Sequence, residues 1–346
     1  MAVTVQIPRT GIEPFNQMIP TQTLPLMKSN GLSWLRRMGS LASGPGLVLL
    51  ALTLPVRASA ADEQTFFAAP QDAVNALVSA AGNHDTNALH SIFGPAGHDL
   101  ISPDIVQATE EYKTFVQRLT EKAQLVTNSD SKVTLIIGAD GWPFPIPLVK
   151  QNRQWFFDTG AGKEEILNRR IGRNEIGAIR VCRAYVDAQR EYASKDRLGD
   201  GILEYAQHLR STPGQHDGLY WPMQPGEEIS PLGPLIAQAH GEGYRRQSKI
   251  MTDEQTPYHG YYFKILTRQG KHAPIGKYNY IINGHMIAGF GFVAWPAEWG
   301  NSGVMTFVVN QQGKVYQKNL GAKTPSIAKA MTTYDPDDTW TLVQGN

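Results

Sequence analysis

The chain has almost no cysteine: one residue, Cys182, in 346. A lone thiol cannot close an internal disulfide, so a disulfide framework and C-x-x-C metal or redox motifs are both excluded. Charge of one sign is not in excess either. The 32 Lys and Arg against 31 Asp and Glu leave a formal net charge of +1. That balance argues against nucleic acid and against a strongly anionic membrane surface as partners. No apolar run approaches the roughly 20 residues a membrane-spanning helix needs. G-x-S-x-G, H-E-x-x-H and Walker A patterns are missing as well, which removes the most readily recognised hydrolase and nucleotide-binding classes.

What is present begins with a leader. In "GLSWLRRMGSLASGPGLVLLALTLPVRASAAD", residues 31–62, Arg36 and Arg37 form a basic segment and Leu47 to Leu54 an apolar one. Ala58 and Ala60 supply an A-x-A cleavage site, so a secretory signal peptide cleaved after Ala60 is expected. Gly44, Pro45 and Gly46 interrupt the apolar segment, which disfavours a retained anchor. No cysteine follows it, which disfavours lipid attachment. Met27-Lys28 would make a better start than Met1, and residues 1–26 then read as a misassigned start. A periplasmic or secreted protein with no stable membrane insertion after cleavage is expected. Five Lys or Arg and one Glu fall within residues 1–60, so the mature chain carries a net charge of −3. Its length favours two domains over one.

The first domain is expected over 61–167. "PQDAVNALVSAAG" places Ala73, Leu77 and Ala80 at helical spacing, and Thr86 to Phe93 reads as a second helix stopped at Gly94-Pro95. A third helix is expected from Ser102 as cap and Pro103 as first residue, with Ile105, Tyr112, Phe115, Val116 and Leu119 as its inner stripe and its pattern running to Val126. Strands follow at Val133–Ile137, Phe144–Lys150 and Gln154–Asp158, with a turn at Gln151-Asn152. The charged stretch 163–175 reads as a short join.

The second domain is expected over 168–322, with a polar tail over 323–346. Ile179, Cys182, Val186, Gln189 and Ala193 advance by three or four and predict an amphipathic helix. Cys182 lies on its apolar stripe as a structural thiol. Strands are expected at Tyr261–Leu266, Tyr278–Ile282, Phe290–Ala294, Val304–Asn310 and Val315–Asn319, with a hairpin turn at Asn310–Gly313. The fold class is therefore α+β: helices and an antiparallel sheet first, cone-like, then a long helix packed on a second antiparallel sheet.

Several strings are distinctive together: "NEIGAIRVCRAYVDAQREYASKD", "DGLYWP", "SPLGPL", "PYHGYYFKILTRQG" and "GFGFVAWPAEWGNSGVMTFVVNQQGKVYQKNLG". Over residues 64–322 they resemble the secreted bacterial family catalogued as domain of unknown function 2950. The resemblance implies an exported envelope protein and no established activity. Helices followed by strands ending in "QWFFD" look like the nuclear transport factor 2-like superfamily, whose catalytic members place an Asp-His pair inside a cone. His84, Asp85, His90, His98 and Asp99 are the candidates that likeness offers. The second half is distantly similar to the globular heads of type IV pilin-like proteins. It lacks their long apolar helix, so any kinship is in fold only.

Three candidate sites remain. "KDRLGDGILEYAQ" resembles a calcium loop: with Asp196 at position 1, Asp200 falls at 5, Gly201 at 6 and Glu204 at 9. Leu198 and Gln207 occupy ligand positions 3 and 12, so only a weak calcium site on Asp196, Asp200 and Glu204 is expected, and a helix over "ILEYAQHL" would have to follow. The competing reading is a polar turn at Asp200-Gly201. His216, Asp217 and His259 are weak catalytic candidates if they converge. Tyr220, Trp221, Tyr258 and Tyr261 are ligand-binding candidates if exposed, and packing residues otherwise. No other cofactor is expected. The leading function is a non-enzymatic binding or scaffold module with an envelope protein or cell-wall component as partner. The alternative is a periplasmic hydrolase with a His/Asp cleft.

Overall fold

Three short helices open the described chain, each shaped by its own caps. The computed structural model describes residues 64–223, 225–244 and 256–344. The leader, its Ala58–Ala60 cleavage site and residues 1–26 lie outside them. Helix α1 (Pro70–Gly82) starts on a proline and buries Ala73, Val74, Leu77, Ala80 and Ala81. Helix α2 (Thr86–Phe93) is capped by Asp85, whose side chain accepts from Ala88 N, and ends where Gly94 takes φ +66°. Helix α3 (Ile105–Glu121) is capped by Asp104 rather than Ser102, because the carboxylate accepts from both Val106 N and Gln107 N. Ser102 instead accepts from Asp104 N.

The helical pattern read through Val126 stops at Glu121, and Ala123–Ser129 is a strand. It pairs antiparallel with Lys132–Ile137, which continues through Leu148–Gln151 to Gln154–Phe157. Asn152 and Arg153 both take positive φ in the last turn, as a two-residue hairpin of the right-handed sheet twist requires. One face of this sheet closes over α1–α3 around Leu77, Leu119, Leu135, Phe144 and Phe157.

Helix α4 (Thr159–Tyr192) absorbs the stretch expected as a join. Its 34 residues run unbroken from the Asp158 cap, about 51 Å at 1.5 Å per residue. Near its start Gly162 passes so close to Ile146 that an added Cβ would meet the Ile146 backbone at 2.7 Å. Ile166 packs on the first core, and Ala178 to Tyr192 pack on the second. The expected boundary at 167/168 therefore falls inside a helix that serves both cores. Cys182 is fully buried on that inner face, and burial pushes its thiol up to about 12.

The second core is built on an antiparallel sheet in the order Thr341–Leu342, Tyr316–Asn319, Met305–Asn310, Gly291–Pro296, Tyr261–Leu266. Successive side chains face opposite ways. Phe292, Ala294, Phe307 and Val309 meet α4, while Val293, Trp295 and Val308 face a third apolar cluster. That cluster is completed by residues expected as a polar tail. Helix α6 (Thr324–Ala330) and the short strand Thr333–Tyr334 bring Ala328 and Tyr334 to cover the far face. Helix α5 (Gly233–Gly241) packs Ile236 and Ala239 into the α4 side. No helix among the described residues is long and apolar enough to cross a membrane.

Buried polar groups join the two halves. Asp104 is fully buried, and besides capping α3 it accepts from Tyr244 OH at 2.6 Å and Gly260 N at 3.0 Å. Gln107 donates to Asn174 on α4 at 2.7 Å, and Asn174 donates to Ser302 O at 2.9 Å. Arg170, with its side chain 2% exposed, donates to Leu100 O, to Glu111 and to Asn301. Asp104→Ala removes the α3 cap and leaves the Tyr244 hydroxyl and the Gly260 N–H unsatisfied. Urea unfolding should show a loss of about 3 kcal/mol or more, and Tyr244→Phe a loss of about 1 kcal/mol. A change under about 0.5 kcal/mol for Asp104→Ala, the range of ordinary surface substitutions, would contradict this role.

Candidate functional site

The Asp196–Gln207 segment begins as a turn closed by its own carboxylate. Asp196 accepts from Gly199 N at 2.7 Å and from Gly201 N at 2.8 Å, and both glycines take positive φ. The N–H of Gly201, aided by that of Gly199, holds the Asp196 carboxyl below its usual range. Asp196 is thereby engaged in shaping the loop. The expected helix over 202–209 is absent: Ile202 to Ala206 form no regular element, and a strand, His208–Arg210, follows. The helix–loop–helix frame of an EF-hand is therefore not formed.

This segment is bonded to a hairpin of the strands Ile281–Ile282 and His285–Met286, joined by Asn283-Gly284 with both residues at positive φ. Tyr205 N donates to Met286 O, Gln207 donates to Gly284 O, and Met286 N donates to Glu204 Oε2 at 3.0 Å. The pairing brings His285 Nδ1 to 3.2 Å from Glu204 Oε1 and 3.7 Å from Asp200 Oδ2. One ligand atom from each of Asp200, Glu204 and His285 lies within 4.8 Å of the other two. His285 takes the place in the cluster that the sequence reading assigned to Asp196. Its signal was the Asn-Gly pair between apolar residues in "YIINGHMI", which specifies a tight hairpin returning His285 beside the strand.

The three catalytic candidates have separate partners. His259 Nε2 meets Glu242 Oε2 at 2.9 Å, and Tyr258 donates to the same oxygen at 3.1 Å. His259 takes φ +48° and Gly260 φ +72°, which turns their successive N–H groups onto Tyr244 OH and Asp104. Asp217 instead closes a turn on Thr212 N and Thr212 Oγ1, both at 2.7 Å. His216 lies over Trp221 with ring centroids 4.4 Å apart. No hydrogen bond or ring contact joins His259 to His216 or Asp217 among the described residues. In the first half, Asp85 is the α2 cap, His84 packs on Tyr112, and Asp99 pairs with Lys163 at the surface.

With this geometry in place, the pattern of the family described as "Protein of unknown function (DUF2950)" matches residues 64–343. The chain belongs to that family. Neither a curated protein nor a solved structure gives a match.

Of the two readings open for the aromatic residues of this DUF2950 chain, ligand patch or packing, the structure fits packing. Trp221, Tyr258 and Tyr261 are buried. Trp221 donates to Glu228 O and lies near the Arg197 guanidinium, which also lies near the Tyr192 ring. Tyr261 donates to Met305 O, and Tyr220 is half-buried beneath Arg210. Each phenol or indole has a flat face that seats a loop, and burial follows from that use.

Glu242 supplies a pH test of the DUF2950 chain. Burial pushes its carboxyl up, but hydrogen bonds from His259, Gln238 and Tyr258 outweigh it and hold the group below the usual carboxylate range. A lowered folded-state value stabilises the fold above the unfolded value of about 4.3 and loses that stabilisation as pH falls through the folded one. Glu242→Gln should therefore flatten the decline of melting temperature below about pH 4.3 while leaving the shape of the curve above it unchanged. An identical acid limb in both proteins would refute the assignment.

Proposed function

We propose that this DUF2950 protein is exported to the cell envelope and acts there by binding, as a rigid scaffold module whose partner is another envelope protein. The basic segment, apolar segment and Ala58-x-Ala60 site support export. The observation that carries the binding reading is how firmly an irregular surface is braced. Asp196 and Asp217 close turns with their carboxylates, Lys195 and Arg197 both pair with Glu228, and the Arg197 guanidinium contacts the rings of both Tyr192 and Trp221. On this fixed backbone Leu198, Leu203, Met223 and Ile229 stand exposed. A preformed apolar relief loses little conformational entropy on docking, which favours recognition.

The reading is tested in cells and with purified protein. A C-terminal alkaline phosphatase fusion, active only outside the cytoplasm, should be active. A photo-crosslinking residue at Leu203 or Met223 should give a discrete adduct with an envelope protein. Adducts with cell wall alone would replace the protein partner by a wall component, and no adduct at either position would sink the binding surface. Purified protein incubated with peptidoglycan should release no soluble fragments. Release by the wild type that is lost in His259→Gln would establish the hydrolase alternative instead.

A further inference from the structure

We infer that Asp200, Glu204 and His285 form a binding site for one divalent ion of the zinc class. The inference stands on its own geometry and does not depend on the binding role proposed above.

The first argument is distance. Ligand atoms arranged tetrahedrally around an ion with bonds of about 2.0–2.2 Å stand roughly 3.3–3.6 Å apart. His285 Nδ1 is 3.2 Å from Glu204 Oε1 and 3.7 Å from Asp200 Oδ2. The imidazole nitrogen thus stands close to tetrahedral spacing from both carboxylates, and the three ligand atoms lie within 4.8 Å of one another.

Orientation is the second. Each carboxylate has one oxygen tied to a backbone amide and the other turned to the imidazole. Glu204 Oε2 accepts from Met286 N, and Asp200 Oδ1 accepts from Ile202 N, both at 3.0 Å. Fixing the outer oxygen aims the inner one, as hydrogen bonds to metal ligands commonly do.

The third argument is charge. The Glu204 side chain is only 6% exposed, and the ion pairs recorded for Glu204 and Asp200 among the described residues are both to His285. Two carboxylates facing one imidazole leave a net negative charge even when the ring is protonated. A buried carboxylate needs donors or a compensating charge, and where a second carboxylate stands in place of a donor a divalent cation supplies that charge.

The donor set selects the ion. Calcium takes about 6 to 8 oxygens at 2.3–2.6 Å, whereas an imidazole nitrogen with two carboxylates suits zinc, cobalt or nickel. Asp200 and His285 are partly exposed, so the remaining coordination position opens toward solvent and would hold water.

The experiment uses the chain stripped with a chelator and then dialysed. Titration with zinc should show one ion bound per chain and raise the melting temperature by several degrees. Cobalt should give visible absorption bands of low-symmetry coordination, and zinc should shift the side-chain nitrogen resonance of His285. Asp200→Asn, at a partly exposed position, keeps the fold and should weaken zinc binding by about tenfold or more. His285→Gln should weaken it at least as much. Calcium in large excess should not displace zinc. Failure of the wild type to take up zinc or cobalt, unchanged affinity in both Asp200→Asn and His285→Gln, or displacement of zinc by calcium would each overturn the site.

Discussion

The fully buried Asp104 carboxylate is the constraint on which the joining of the two halves depends. It accepts four hydrogen bonds, two from the first turn of α3 and two from the second half, through Tyr244 OH and Gly260 N. A carboxylate withdrawn from water is tolerated only where donors replace its hydration. Here two of those donors come from segments more than 130 positions away. Satisfying the charge and docking the halves are thus one event. The backbone yields to the same demand, since His259 takes a left-handed conformation that a histidine adopts at some cost.

Helix α4 extends this coupling along the molecule. Its early turns carry Ile166 into the first core, its middle carries Arg170 and Asn174 to the junction, and its last turns carry Cys182, Val186 and Tyr192 into the second. Glu175 continues the junction by accepting from Val304 N and Met305 N at the end of the central sheet. A polar midsection between two apolar ends suits a helix that must enter two cores without sliding. Apolar contacts permit small shifts along the axis, whereas Asn174 bonded to both Gln107 and Ser302 sets one register.

Much of the secondary structure is legible from periodicity. Thr86–Phe93 and Tyr261–Leu266 stand where the spacing predicts them. The departures have physical causes. Ser102 and Asp104 are both good caps, and only the tertiary donors on Asp104 decide between them. "KAQLV" follows helical spacing as well as strand alternation, and pairing with Lys132–Ile137 selects the strand. The last 24 residues look polar because two buried apolar side chains, Ala328 and Tyr334, with partial cover from Met331 and Trp340, suffice to close one sheet face. At the candidate site Asp200 and Glu204 could be named from spacing alone. His285 could not, because it arrives through a hairpin 81 positions on. The aromatic loops leave both readings open in sequence for a related reason: local composition marks them as rich in flat side chains, and burial depends on what covers them.

Two acid–imidazole pairs in the same chain show why resemblance between sites is a poor guide to their use. Glu242 and His259 form one carboxylate and one imidazole, and Tyr258 and Gln238 donate to the remaining lone pairs of that carboxylate. Every partner adds a donor, so the charge is dispersed and the pair holds a loop. Glu204 and His285 begin alike, but Asp200 adds a second carboxylate where a donor would otherwise stand. Adding an acceptor to a buried carboxylate raises its electrostatic cost unless a cation accompanies it. The backbone amides of Ile202 and Met286 engage only the outer oxygens and leave both inner ones turned to the same imidazole nitrogen. The first arrangement is complete with protein atoms alone, and the second is short of positive charge at the point where its three ligand atoms meet.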